Sequence, residues 1–146
     1  MVDTIKASDL TGGCLCGAIR YRCSGEPDSV GLCQCNRCQR QSGSSFLIAV
    51  VYTRAAVAFE QGELFSYVAQ DDEGATLTRH FCGACGSPTM ITLDRYPEIR
   101  SIMGGSVDDK SRLKPTFSLW CSTSQPWLSL PVRIEQHSAY PDGLIA

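Results

Sequence analysis

At 146 residues, with 43% hydrophobic side chains and a formal charge of -2, the chain fits one soluble globular domain with a buried core. A pI near 5.6 leaves no basic face of the kind a nucleic-acid backbone selects, and the longest apolar run, Phe46 to Tyr52, is far too short to cross a bilayer. The opening "MVDTIKASDL" has neither the basic start nor the apolar stretch of a secretory signal, so a cytoplasmic location is expected.

Taken in chain order, short apolar or alternating stretches rich in β-branched and aromatic residues predict strands, each bounded by Gly, Pro, Asp or Ser. They are "AIRYRC" (18–23), "FLIAVVY" (46–52), "AVAFEQG" (56–62), "LFSYVA" (64–69), "TLTRHF" (76–81), "PTMITL" (88–93) and "EIRSIM" (98–103). No window sustains apolar residues at helical spacing. One helical turn is expected over Asn36 to Ser42 and another in "SQPWLSL" (124–130). The reading is a mostly β single domain over 1–146, its tail (138–146) fraying or lying on the surface.

Nine cysteines in a chain read as cytoplasmic point to metal rather than disulfides. Seven fall into three groups: Cys14 and Cys16 in "GGCLCGA", Cys33, Cys35 and Cys38 in "CQCNRC", and Cys82 and Cys85 in "FCGACGS". A closed zinc site takes four ligands, so seven thiols divide most simply into one site of four and one of three. The outer pairs would close a structural zinc, with Gly83 and Gly86 allowing the tight turn of a zinc knuckle. The central three would hold a second zinc with an exchangeable fourth position, the arrangement of catalytic zinc. Against this stand a closed site completed by His80, Cys23 or an acidic residue, and redox switching by the central thiols. Cys23 and Cys121 read as small apolar fillers of a β core.

With these motifs in view, the chain resembles the family of glutathione-dependent formaldehyde-activating enzymes and centromere protein V. The likeness covers about 11–127 and rests on "GGCLCGAIRY", "CQCNRCQRQSG", "RHFCGACGSP", "GGSVDDKSRLKP" and "STSQPW". It implies a zinc-pinned β-tent of small antiparallel sheets with short helical turns, a fold also found in a zinc-bearing chaperone of Rab GTPases. It also implies two zinc ions: a structural one on Cys14, Cys16, Cys82 and Cys85, and a catalytic one on Cys33, Cys35 and Cys38. Two positions depart from the family pattern. Gln34 stands where a histidine is common between the first two cysteines of the triplet, and Ser118 in "PTFSL" stands where many members have the histidine of "PxFHI".

Three thiolates leave a zinc unit with a net charge near -1, suited less to activating water than to taking up a further sulfur as thiolate. The expected partner is therefore a small thiol, glutathione above all. The expected chemistry is carbon–sulfur lyase-type, for instance reversible formation of S-hydroxymethylglutathione from glutathione and formaldehyde. Arg37 and Arg40 read as solvated residues that border the site and offer a guanidinium to a carboxylate. Asp108 and Asp109 read as a turn or helix cap, and Trp127 as a core residue. The competing reading is a non-catalytic zinc-stabilised binding module.

Overall fold

The computed structural model describes residues 4–70 and 73–141. Three strands, β1 (Leu10–Gly13), β2 (Arg20–Cys23) and β5 (Val57–Gln61), form a small antiparallel sheet in the order β1-β2-β5. The other eight are β3 (Ser29–Cys33), β4 (Leu47–Thr53), β6 (Leu64–Gln70), β7 (Thr76–Cys82), β8 (Pro88–Leu93), β9 (Ile99–Met103), β10 (Phe117–Leu119) and β11 (Glu135–Gln136). They make a second sheet in the order β11-β10-β3-β4-β9-β8-β7-β6. Its pairings are antiparallel except that β10 runs parallel to both β3 and β11. A single α-helix among the described residues, α1 (Asn36–Ser42), links β3 to β4. The fold is mostly β, as the composition of its segments predicts.

The pleat of a strand sends successive side chains to opposite faces, and here both faces of the larger sheet are covered. On one face Val30, Val50, Tyr52, Met90 and Ile102 pack with Leu10, Tyr21, Cys23 and Val107, joining the two sheets. The register Val50↔Ile102↔Met90 places those three in one row. On the other face Leu47, Ile91 and Met103 pack around Cys38 of α1. A strand buried on both sides reads as a continuous apolar run rather than an alternating one, which is why β4 lies in "FLIAVVY". Val50 and Ile102 are wholly buried, and each contributes about 1.5–3 kcal/mol of apolar burial.

Two expectations are corrected. Instead of a helical turn over 124–130 the chain makes one β-turn through Pro126 and Trp127, closed by the Leu128 N–H on the Gln125 carbonyl at 3.0 Å. Proline at the second position of a turn sets its φ, and the short 3-10 helix lies upstream at Cys121–Thr123. Trp127 is not a core residue: it is 70% exposed, and its indole N–H donates to Gln125 Oε1 at 2.7 Å. The tail is anchored at its start, where the Ser122 hydroxyl donates to the Ser138 carbonyl at 2.6 Å. Residues 142–146 of the expected tail lie outside the described residues. Among the described residues no helix is long and apolar enough to cross a membrane.

Candidate functional site

Cys14 and Cys16 lie in the turn that leaves β1, and Cys82 and Cys85 in the turn between β7 and β8. All four sulfurs fall within 4.8 Å of one another. Cys14 and Cys16 sulfurs are 3.6 Å apart and those of Cys16 and Cys82 3.8 Å. Four sulfurs each about 2.3 Å from a central ion form a tetrahedron with edges of about 3.8 Å, so the set has the dimensions of a zinc–thiolate site. The knuckle is shaped by its glycines. Gly86 has φ +78 and donates its N–H to the Cys82 carbonyl at 2.8 Å, while a Cβ on Gly83 would sit 2.0 Å from the Phe65 ring.

The N–H groups that surround these sulfurs favour thiolates. Ile19 N–H donates to Cys14 at 3.2 Å and Ala84 N–H to Cys82 at 3.4 Å. Ser87 was not singled out from the sequence, yet its hydroxyl lies 3.1 Å from Cys85 and accepts the Leu15 N–H at 3.0 Å, bridging the two halves of the centre. The Ser87 hydroxyl and backbone N–H are the main reasons the Cys85 thiol is lowered to about 5. The signal was present in "CGACGS", where a small hydroxyl follows the second cysteine by two positions.

The second cluster is built from a strand end and a helix start. Cys33 closes β3, Cys35 is the N-cap of α1, and Cys38 lies in the first turn of that helix. A cap residue keeps extended backbone and accepts from the N–H three positions on, and Cys35 does so through sulfur, from Cys38 N–H at 3.3 Å. Spacing of one and then two residues thus brings all three sulfurs within 4.8 Å of one another. Hydrogen bonds from the Cys33 and Cys38 thiols, then from the backbone N–H groups of Cys38 and Arg37, hold Cys35 far below the ordinary thiol range. Those to Cys35 and then Cys38, with burial, push Cys33 up. Among the described residues no other His, Cys, Asp or Glu joins this cluster.

The proposed fourth ligands are accounted for elsewhere. His80 Nε2 lies 2.9 Å from Thr92 Oγ1, and Cys23 is sealed in the core between the sheets as a filler. Cys121 is half-buried, its sulfur 3.4 Å from Gln34 Nε2. Asp109 caps the 3-10 helix Lys110–Arg112 by accepting from Ser111 N–H at 3.2 Å, and Asp108 pairs with Arg20, whose Nη1 lies 3.0 Å from Asp108 Oδ1. Arg37 Nη1 donates to the Gln70 carbonyl at 2.9 Å. A cleft of about 600 Å3 is lined by Cys14, Ser87, Arg20, Lys110, Leu47 and Met103; the last two share a cluster with Cys38, but none of the three central cysteines lines it.

The family's sequence profile, described as "Glutathione-dependent formaldehyde-activating enzyme", matches residues 9–123, well over half of the chain. The chain belongs to the glutathione-dependent formaldehyde-activating enzyme family. Among its relatives is a Halomonas elongata protein named "Putative glutathione-dependent formaldehyde-activating enzyme", 27% identical over 144 residues that span 94% of this chain and 92% of that one. A crystal structure of a Rhodobacter sphaeroides protein shares the fold with a TM-score of 0.53 at 23% identity, covering 67% of this chain and 87% of that chain.

Gln34 and Ser118, the two positions singled out in the sequence, touch each other within this formaldehyde-activating family member. Gln34 Nε2 donates to Ser118 Oγ at 2.9 Å, and both residues are buried. Strand alternation carried past Cys33 turns Gln34 to the side opposite the neighbouring cysteines. Its carbonyl accepts from Gln39 Nε2 at 2.7 Å and Thr123 Oγ1 at 2.9 Å, which fastens the cysteine-bearing loop to the Cys121–Thr123 turn. Gln39, on α1, is a second support that the sequence reading did not single out. Besides Gln34, five residues before it, its partners are Thr123, 84 residues away, and Gln125, 86 away, and nothing in its spacing marks those.

Proposed function

We propose that this chain is a zinc-dependent carbon–sulfur lyase-type enzyme acting on a thiol adduct. Cys14, Cys16, Cys82 and Cys85 would hold a structural zinc, and Cys33, Cys35 and Cys38 a second one. The observation that carries the reading is the convergence of three sulfurs with no fourth ligand among the described residues. Zinc on three thiolates takes up a further thiol and favours its thiolate form. Glutathione and formaldehyde are the substrates the family name suggests. The sulfur of the thiol bonds to the carbonyl carbon, the C=O π pair moves to oxygen, and the thiol proton ends on that oxygen, giving S-hydroxymethylglutathione with nothing oxidised or reduced.

The chain's own residues supply position. The Cys35 cap and the Cys38 N–H set the triplet's geometry, and Gln39 and Thr123 hold the loop that carries it. The cleft lined by Leu47 and Met103, which share the Cys38 cluster, also carries Arg20 and Lys110, of which Arg20 is paired with Asp108 and Lys110 donates to the Val107 carbonyl at 2.8 Å. Arg37 is engaged likewise, its Nη1 donating to the Gln70 carbonyl at 2.9 Å.

The test is NMR exchange between glutathione, formaldehyde and their adduct with zinc-loaded protein. Exchange faster than the uncatalysed rate, lost in Cys35→Ser, is the expected result; equal exchange in both removes the formaldehyde reading. A non-catalytic binding role is favoured by a different observation, the exposed Phe65, Tyr67 and Val68 on edge strand β6. A protein with two ions bound and no exchange activity would turn the assignment that way.

A further inference from the structure

Arg79 sits in the middle of β7, flanked on its face of the sheet by Leu77 two residues back and by Ile91 directly across on β8. Both neighbours pack in the apolar cluster that surrounds Cys38, Cys33 and Cys35. A guanidinium is always charged and is almost never fully buried unless paired. Arg79 is 8% exposed, its Nη1 is buried with no hydrogen-bond partner, and among the described residues it makes no ion pair. An unpaired buried cation is costly and calls for an anion close by.

The thiol triplet belongs to this cluster and would be its anionic centre with a metal bound. Ile91, the cross-strand partner of Arg79, packs in the same cluster as Cys38, with Leu77 beside it, so the guanidinium starts from the triplet's side of the sheet. Three thiolates around a divalent ion sum to -1, and a substrate thiolate would bring the unit to -2. A fixed positive charge beside it cancels the first and halves the second.

We propose that Arg79 is the counter-cation of the Cys33–Cys35–Cys38 centre, a positioning residue whose unshared charge lets a three-thiolate metal unit sit in an apolar cluster and accept a fourth anionic sulfur. The proposal rests on the reading of that triplet as a metal centre. Arg79 acts through the thiolates, and the orphaned Nη1 is the donor left over for them or for the anion that joins them.

The experiment uses full-length protein loaded with cobalt(II), whose thiolate charge-transfer absorption reports each site, and competition with a chelator for the affinity of each ion. Arg79→Met and Arg79→Gln are expected to weaken the second ion by about 10- to 100-fold, the usual effect of losing an outer-shell partner, and to leave the first ion unchanged. Arg79→Lys, which keeps the charge, is expected to retain wild-type affinity within about threefold, a rescue that a purely packing role would not give. Wild-type affinity for both ions in the Met and Gln variants overturns the proposal. So does a Lys variant as weak as Met, or the loss of both ions in all three variants, which would make Arg79 a requirement of the sheet. Wild-type protein that takes up only one cobalt overturns the metal reading of the triplet, and this inference with it. That outcome is distinct from one in which wild type binds two ions and only the arginine effect is missing.

Discussion

Gln34 and Ser118 illustrate how two residues 84 positions apart can hold one loop in place. Gln34 is 1% exposed and Ser118 wholly buried, so the hydrogen bond between them is made away from water. Removing one partner of such a bond leaves the other unpaired, at a cost of about 1–3 kcal/mol. Ser118→Ala should therefore lower stability by about that amount in a denaturant titration, while both metal ions stay bound, because this pair points away from the sulfurs. Parallel loss of the second ion would show that the pair positions the metal ligands directly. The two residues are far apart in the chain and carry no common motif, so their partnership was not legible from the sequence; only the parallel pairing of β10 with β3, which sets Ser118 beside Leu32, brings them together.

At the scale of elements, α1 is seven residues long, too short to be stable by itself, and depends on its ends. Its C-cap Gly43 has φ +65 and donates its N–H to the Gln39 carbonyl, and nothing lies within 4 Å of the Cβ a larger residue would add there. Gly43→Val would therefore cost backbone strain alone, about 1–2 kcal/mol for a residue forced into the left-handed region. Without metal the helix can fray and escape that strain, so the cost falls on the metal-bound state. A chelator titration should show the second ion weakened by up to about 5- to 30-fold and the four-cysteine ion unchanged; equal affinity would mean that α1 keeps its form without metal. This helix was legible in Asn36 to Ser42, as were the seven strands that lie in a stretch showing an apolar run or alternation. The strands that escaped notice are β1, β3, β10 and β11, of four, five, three and two residues. β1 contains two glycines, β3 has three consecutive buried positions rather than alternation, and β10 and β11 exist through parallel pairing with distant segments. Trp127 shows the converse error: an aromatic residue reads as core from composition, but a turn at Pro126 carries it outward.

Across the whole molecule the two cysteine centres have different mechanical positions. The four-cysteine set joins the turn after β1, which belongs to the small sheet, to the knuckle between β7 and β8 in the large one, so it spans the joint between sheets that the apolar core fills. The triplet lies within one local segment, from the end of β3 to the first turn of α1, and on the other face of the large sheet. The grouping into four and three was legible because ligand spacing on a turn is local and the ligand count of zinc is fixed. Which group carries the fold was not, since that depends on which strands each turn joins. Ligand loss at the joint should therefore be felt globally. A structural zinc is worth about 10–16 kcal/mol of apparent binding free energy that counts as folding free energy. Forfeiting about a third of it, roughly 3–5 kcal/mol, corresponds to about 10–16 °C in Tm for a chain of this size. Cys16→Ser, at the exposed member of the set, is expected to lower Tm by about that much and to release one ion. Cys35→Ser is expected to release the other ion with a drop of only a few degrees, since the sheets stay joined. Circular dichroism melts paired with metal analysis read both quantities, and equal drops in Tm for the two variants would show that the triplet supports the fold as much as the joint does.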